Sequence, residues 1–182
     1  MTTKRSGKDE TVCALVSSGI DSLALLQNLS SEYEKILPVY MQAGFRWEEA
    51  ELFWLKKFLR AGKIKNAEPL EILSLPLRDV CGSHWSVTGV KVPDSTAKAE
   101  ELFMPGRFML FLSKAAFFCA ARKIGEIAVG VNRACPFPDG STAFFKRFEN
   151  LASDAPGTPV NTSPIRPGYR DRGRNDGPDI SL

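Results

Sequence analysis

Val12-Cys13-Ala14-Leu15-Val16-Ser17-Ser18-Gly19-Ile20-Asp21-Ser22 decides the fold. An apolar run ends in a small polar turn with one glycine, and an apolar-periodic stretch follows from Leu23 to Leu29. The pattern predicts a strand from Thr11 to Val16, covered on both faces, then a tight loop, then a helix from about Asp21 to Tyr33. Such a junction suits an anion. The first turn of a helix carries unpartnered N–H groups and the positive end of the helix dipole. Ser17, Ser18 and Ser22 add hydroxyls, and Gly19 allows close approach to the backbone. Asp21 is a poor neighbour for phosphate; it suits a metal ion or a helix cap. An ordinary strand-to-helix turn capped by Asp21 is the plain alternative.

Outward from this stretch, strands and helices alternate. Ile36 to Met41 predicts the second strand, with Pro38 moving its start to Val39. A helix is expected from about Trp47 to Ala61, acidic in its first turns and basic late, with Gly62 as its stop. Trp47, Phe53, Trp54 and Phe58 recur mostly at helical spacing, which predicts core packing rather than a stacking platform. Pro69 to Leu75 predicts the third strand. Leu77 to Met104 is long and irregular, as lids and binding loops are. It holds His84, the one histidine, beside Trp85, whose ring could stack on a flat ligand.

The next helix is expected from Pro105, at its first position, to Ile124, with Gly125 ending it and apolar residues on most sides. Arg107 in its first turn opposes the dipole, so it suits a bound phosphate or carboxylate, or is a chance cation at a solvated end. Glu126 to Val131 predicts the fourth strand, with Gly130 marking close approach of a ligand or another backbone. A loop from Asn132 to Gly140 follows, and Ser141 caps a helix to about Ala152. The reading gives an α/β domain over 1–153 with a parallel sheet. Residues 154–182 form a Pro/Gly/Arg-rich tail, disordered by composition. In such sheets ligands sit beyond the carboxyl ends of the strands, where the first loop, Gln42 to Gly44, His84, Asn132 and Asp139 converge.

Composition bounds the rest. The 182 residues carry 24 Lys and Arg against 21 Asp and Glu, a net charge of +3. The basic residues are scattered, so no direct nucleic-acid partner is expected. No apolar run reaches the length of a membrane span, and the polar N-terminus lacks a signal-peptide core. A cytoplasmic location and no membrane partner are the expectations. Cys13, Cys81, Cys119 and Cys135 form no Cys-X-X-Cys pair, so no zinc site is expected. Cys13 and Cys119 read as small core residues, Cys81 and Cys135 as loop residues.

Ser17-Ser18-Gly19-Ile20-Asp21-Ser22 resembles the Ser-Gly-Gly-X-Asp-Ser signature of the PP-loop (N-type) ATP pyrophosphatases, with Ser18 in place of the second glycine. It matches neither the Walker pattern nor the dinucleotide Gly-X-Gly-X-X-Gly. Gln42 to Glu51, Met104-Pro105-Gly106-Arg107-Phe108, Val129-Gly130-Val131-Asn132 and Pro136-Phe137-Pro138-Asp139 resemble one branch, the 7-cyano-7-deazaguanine synthases. The resemblance covers about Thr11 to Ala152.

It implies a Rossmann-like three-layer fold of the adenine nucleotide alpha-hydrolase-like (HUP) type. It also implies an ATP- and Mg²⁺-dependent ligase of queuosine precursor synthesis. Such an enzyme adenylates 7-carboxy-7-deazaguanine, converts it with ammonia to the amide, and dehydrates the amide to the nitrile. Leu15, Val16, Ser17, Ser18, Gly19, Ile20, Asp21, Ser22 and Gly130 would hold the nucleotide. Asp21 and Arg107 would be catalytic, with Mg²⁺ on Asp21. His84, Arg107, Asn132 and Asp139 would contact the substrate. A homodimer is compatible with the reading. Phe108 stands where the family has Asn. The family's zinc-binding cysteine cluster is absent, and the pattern breaks after Gly157-Thr158-Pro159-Val160. This leads to the expectation of a chain truncated or frameshifted beyond about Val160. Two other functions fit the residues: a PP-loop enzyme thiolating or amidating another substrate with Cys135 as its thiol, and a nucleotide-binding module without catalysis.

Overall fold

In the computed structural model, which describes residues 11–131, 135, 137–155 and 161–165, five parallel strands form one sheet. They are β1 (Thr11–Leu15), β2 (Lys35–Gln42), β3 (Glu71–Ser74), β4 (Glu126–Gly130) and β5 (Asn161–Ile165), in the order β3-β2-β1-β4-β5. The strand order reverses at β1, which pairs with β2 on one side and β4 on the other. That reversal opens the crevice in which doubly wound sheets bind ligands.

Alternation along the strands builds the layers. Val12, Ala14, Ile36, Tyr40 and Ala128 bury against Leu25, Leu26 and Leu29 of α1 (Ile20–Leu29) and Leu55 of α2 (Glu48–Arg60). Cys13, Leu15, Leu37, Val39, Ile127 and Val129 face the opposite side. They pack on Leu112, Ala115 and Cys119 of α6 (Arg107–Arg122) and Phe145 and Phe148 of α7 (Thr142–Ser153). This is the expected three-layer α/β domain, with Cys13 and Cys119 in its core. The 77–104 stretch holds three short helices, α3 (Arg78–Cys81), α4 (Trp85–Thr88) and α5 (Ala99–Leu102).

Several local expectations are corrected. Pro38 lies inside β2, paired with Ala14, rather than before the strand. Ile36 donates to Asn66 and accepts from Glu68 on the β3 side. Two residues on, Pro38 faces that same side, and the β3 ladder begins only at Val39 and Glu71, so no ladder bond is lost. Helix α6 starts at Arg107, not Pro105, because Gly106 turns the chain at φ +75°. It ends at Arg122, not at Gly125; Lys123, which follows, is left-handed at φ +58°. Ile124 N–H donates to Cys119 O at 2.9 Å, a Schellman closure that carries Ile124 into the core.

Packing of the aromatic and apolar helices also departs from expectation. Phe53 and Trp54 are 61% and 56% exposed, so of the aromatic set on α2 it is Phe58 that packs against the core. Helix α6 buries one side only; Met109, Leu110 and Phe117 are exposed on the other. By length and composition alone Glu100–Arg122 could cross a membrane, a test that core helices also pass. In the fold it is α5, a break at Gly106 and the core helix α6.

The tail expectation fails for Asn161–Ile165, which forms β5 beside β4. Glu149 Oε1 accepts from Thr162 N–H at 2.9 Å, and the Thr162 hydroxyl donates to Phe145 O at 3.2 Å, tying the strand to α7. Pro164 is tolerated because β5 is the edge. The remainder of 154–182 beyond Ile165 lies outside the described residues.

Candidate active site

The loop after β1 is closed by its own serines. Ser17 N–H donates to Ser22 Oγ at 2.9 Å, the two hydroxyls lie 3.2 Å apart, and Gly19 N–H donates to Ser17 Oγ at 3.1 Å. Gly19 is extended, with φ −68°, and a Cβ there would sit 3.3 Å from Ser17 Oγ. The glycine therefore spares the serine brace, and no positive φ is involved. Gly19 O accepts from Ser22 and Leu23 N–H, and the N–H groups of Ile20 and Asp21 have no partner among the described residues. They are donors at the positive end of a ten-residue helix.

Gly130 explains how the loop is seated. A Cβ on it would meet Asp21 O at 2.9 Å and Asp21 C at 3.1 Å. Of the two readings of this glycine, the close approach is to another backbone: the first turn of α1 rests directly on the end of β4.

The loop opens into a cavity of about 250 Å³ at the carboxyl ends of β1, β2 and β4. Of the expected site residues, it is lined by Leu15, Val16, Ser17, Ser22, Gly130 and Arg107. Ser18, Gly19, Ile20 and Asp21 carry the loop outward, with Ile20 83% exposed. Asn132 lies outside the described residues.

His84 and Asp139 are placed beside the cavity, not in its lining, and each has a structural task. His84 caps α4: its Nδ1 accepts from Ser86 N–H at 3.2 Å and lies 2.7 Å from Ser86 Oγ. That cap fixes Trp85, whose ring lies 5.4 Å from Trp47, which in turn stacks on Phe45 at 5.0 Å. Phe45 and Trp47 line the cavity. His84 thus stands behind an aromatic wall. Asp139 is buried on a 3-10 turn, Pro138–Gly140, and its Oδ2 accepts from Phe108 N–H at 3.4 Å. A carboxylate from another segment thereby caps the first turn of α6.

Cys135 is half-buried against Gly140 and the α6–α7 core and is not a lining residue. Among the described residues no cluster of three or more His, Cys, Asp or Glu side chains could hold a metal ion. The donor set at the loop is one carboxylate, Asp21, beside free N–H groups. It fits Mg²⁺, which takes one or two carboxylates and completes its shell with phosphate and water. It does not fit zinc.

Sequence reasoning missed a polar pair in the lining. Tyr40 O–H donates to Glu51 Oε2 at 2.7 Å, and both line the cavity. Burial pushes the Glu51 carboxyl above its usual range and Glu48 adds to the rise, while the Tyr40 hydrogen bond and Arg107 oppose it. Burial, then Glu51, pushes the Tyr40 hydroxyl up. The signal lay in the Gln42 to Glu51 stretch, where Glu48 looks like one more first-turn acid. In the fold Glu48 is buried, and its Oε1 accepts from Ala43 and Gly44 N–H, clasping the end of β2 to the start of α2. That clasp aims Glu51, one turn on, at Tyr40.

A sheet of this order, with a serine loop leading into the reversal crevice, defines a Rossmann-like α/β protein of the PP-loop kind. The fold comparison agrees. The chain superposes on a predicted subunit of tRNA methyltransferase from Methanocaldococcus jannaschii with a TM-score of 0.51 and 15% identity, over 90% of this chain and 71% of that one. The sequence is more specific. The Queuosine biosynthesis protein QueC family matches residues 11–166, and the chain belongs to that family.

It is 34% identical to 7-cyano-7-deazaguanine synthase 1 of Desulfitobacterium hafniense over 69% of this chain and 56% of that protein. It is 28% identical to the 7-cyano-7-deazaguanine synthase of Leptospira interrogans over 80% of this chain and 60% of that protein. The chain therefore spans less than two thirds of the length of these relatives.

Proposed function

We propose that the protein is a cytoplasmic ATP-dependent carbon–nitrogen ligase that makes 7-cyano-7-deazaguanine from 7-carboxy-7-deazaguanine and ammonia. The observation that carries this reading is the shared cavity. A serine loop at a helix N-terminus and the guanidinium of Arg107 face one space large enough for a small ring system.

In this reading the free N–H groups of Ile20 and Asp21, with the Ser17 and Ser22 hydroxyls, bind the phosphates of ATP. Arg107 holds the carboxylate of the acid beside the α-phosphorus; it has no ion-pair partner among the described residues. A carboxylate oxygen attacks that phosphorus and pyrophosphate leaves. Ammonia then attacks the acyl carbon and AMP leaves, giving the amide. A second activation, at the amide oxygen, and loss of AMP give the nitrile. Mg²⁺ on Asp21 would offset the charge of the departing pyrophosphate. Asn132 and Arg107 complete the substrate side, with Asp139 capping the first turn of the helix that carries Arg107. Ammonia is already a nucleophile, so positioning supplies much of the rate.

The test is ATP–pyrophosphate exchange with and without 7-carboxy-7-deazaguanine, beside Asp21→Asn. Exchange that requires the acid and disappears in the variant is the expected result. Bound ATP with no exchange would overturn the reading.

A further inference from the structure

The cavity brings together chemically distinct groups. The serine loop supplies donors. The same lining holds an acceptor, Glu51, and the aromatic wall of Phe45 and Trp47. Glu51 is the only carboxylate among the described lining residues and Arg107 the only cation. One oxygen of Glu51 is held by Tyr40 O–H at 2.7 Å, which fixes the plane of the carboxylate. Oε1 and the second lone pair of Oε2 are left to a ligand. The space, about 250 Å³, is below the ~300–1,000 Å³ usual for drug-sized ligands, which suits a single bicyclic ring.

We infer that Glu51, oriented by Tyr40, is the specificity-determining residue that reads the 2-amino-lactam edge of the acceptor ring while Trp47 lies against its face. The inference rests on the synthase reading and adds the residues that choose its substrate. An ionised carboxylate only accepts hydrogen bonds. A 2-amino-4-oxopyrimidine edge offers two adjacent donors, the ring N1–H and the exocyclic amine, and so matches it. An adenine-type edge offers a donor beside the N1 lone pair, and that lone pair would face a carboxylate oxygen. Glu51 therefore accepts guanine-type rings and repels adenine-type ones, which keeps the base of ATP out of the acceptor position. Arg107 in the same cavity takes the 7-carboxylate. The ring is then held at both ends, with its acid turned toward the serine loop.

The test uses the full chain and calorimetric titration with three ligands: ATP, 7-carboxy-7-deazaguanine, and the same acid lacking the 2-amino group. The wild type is expected to prefer the amino compound by about tenfold or more, the worth of a hydrogen bond to a charged group. Glu51→Gln is expected to bring that preference within about twofold and leave ATP binding unchanged, because its amide mixes donor and acceptor. Tyr40→Phe keeps the carboxylate but frees its plane, and is expected to weaken the acid several-fold with ATP unchanged. It also serves if Glu51→Gln does not fold. Full preference retained in Glu51→Gln, or acid binding as tight as wild type in Tyr40→Phe where only that variant folds, would overturn the inference and leave the synthase reading standing. ATP binding with no acid binding in the wild type would overturn both.

Discussion

Gly130 at the end of β4 and Asp21 in the first turn of α1 are in backbone contact: a Cβ on Gly130 would lie 2.9 Å from Asp21 O. The loop after β1 is thus positioned by a strand more than a hundred residues away in sequence.

Gly130→Ala forces α1 away from the sheet. Overpacking of this kind costs about 1–3 kcal/mol. Chemical denaturation is expected to show that loss, and ATP binding to weaken with it, since the displaced helix end carries the free N–H groups. Unchanged stability and ATP affinity would show that α1 is not seated by this contact.

Ser22→Ala removes the acceptor of Ser17 N–H and the hydroxyl partner of Ser17. The loss is expected to cost about 1 kcal/mol of stability and to reduce ATP affinity by about tenfold. Ser18→Gly, outside the cavity, restores the residue type of the PP-loop signature. It is expected to leave ATP affinity within about twofold. Isothermal titration with ATP checks both.

The α/β order, the loop and the Ser141 cap were legible because each is local: an apolar run, a turn composition and a hydroxyl three residues before a free N–H (Ser141 Oγ accepts from Phe144 N–H at 3.2 Å). What was not legible depends on distant partners. Pro38 sits mid-strand only because its neighbour strand starts one residue later. Phe53 and Trp54 have helical spacing but fall on the face of α2 away from the sheet. Asn161–Ile165 reads as tail by composition, yet Glu149 and Phe145 hold Thr162 in the sheet. The Tyr40–Glu51 pair joins a strand to a helix, and no spacing within either element announces it. His84 and Asp139 are absent from the cavity lining, and their hydrogen bonds hold neighbouring turns in place.

Thiol labelling separates the cysteines. Cys13 and Cys119 are fully buried in one core, and the hydrogen bond of the Cys13 thiol to Cys119, then burial, hold that thiol well above its ordinary value. Alkylation of the native chain followed by mass mapping is expected to modify Cys81 and Cys135, which are partly accessible, and to spare Cys13 and Cys119 until unfolding. Cys135→Ser is expected to leave acid-dependent exchange intact, because Cys135 is outside the lining. Loss of activity there would favour a thiolating enzyme.

Asp139→Ala removes the carboxylate at the first turn of α6. Loss of such a cap costs about 0.5–2 kcal/mol. Phe108 N–H, next to Arg107, then loses its acceptor, and the helix turn that carries Arg107 is loosened. The acid KM is expected to rise while ATP binding stays constant, a split that separates positioning of Arg107 from general destabilisation.

Glu51→Gln separates stability from recognition through its pH dependence. Burial, the largest cause, and Glu48 raise the Glu51 carboxyl above its ordinary value; Tyr40 and Arg107 oppose them without cancelling the rise. A carboxyl raised on folding binds more protons in the native than in the unfolded state between its two values. Stability therefore falls as pH rises through that window and carries a constant penalty above it. Glutamine does not titrate and still offers Tyr40 an acceptor oxygen. The stability of the variant relative to wild type is expected to increase as pH rises above the ordinary carboxylate range, where the raised carboxyl ionises. Denaturation midpoints measured across that rise check the sign. A relative stability that falls with rising pH would mean that Glu51 is favoured in its charged form, with Tyr40 and Arg107 outweighing burial.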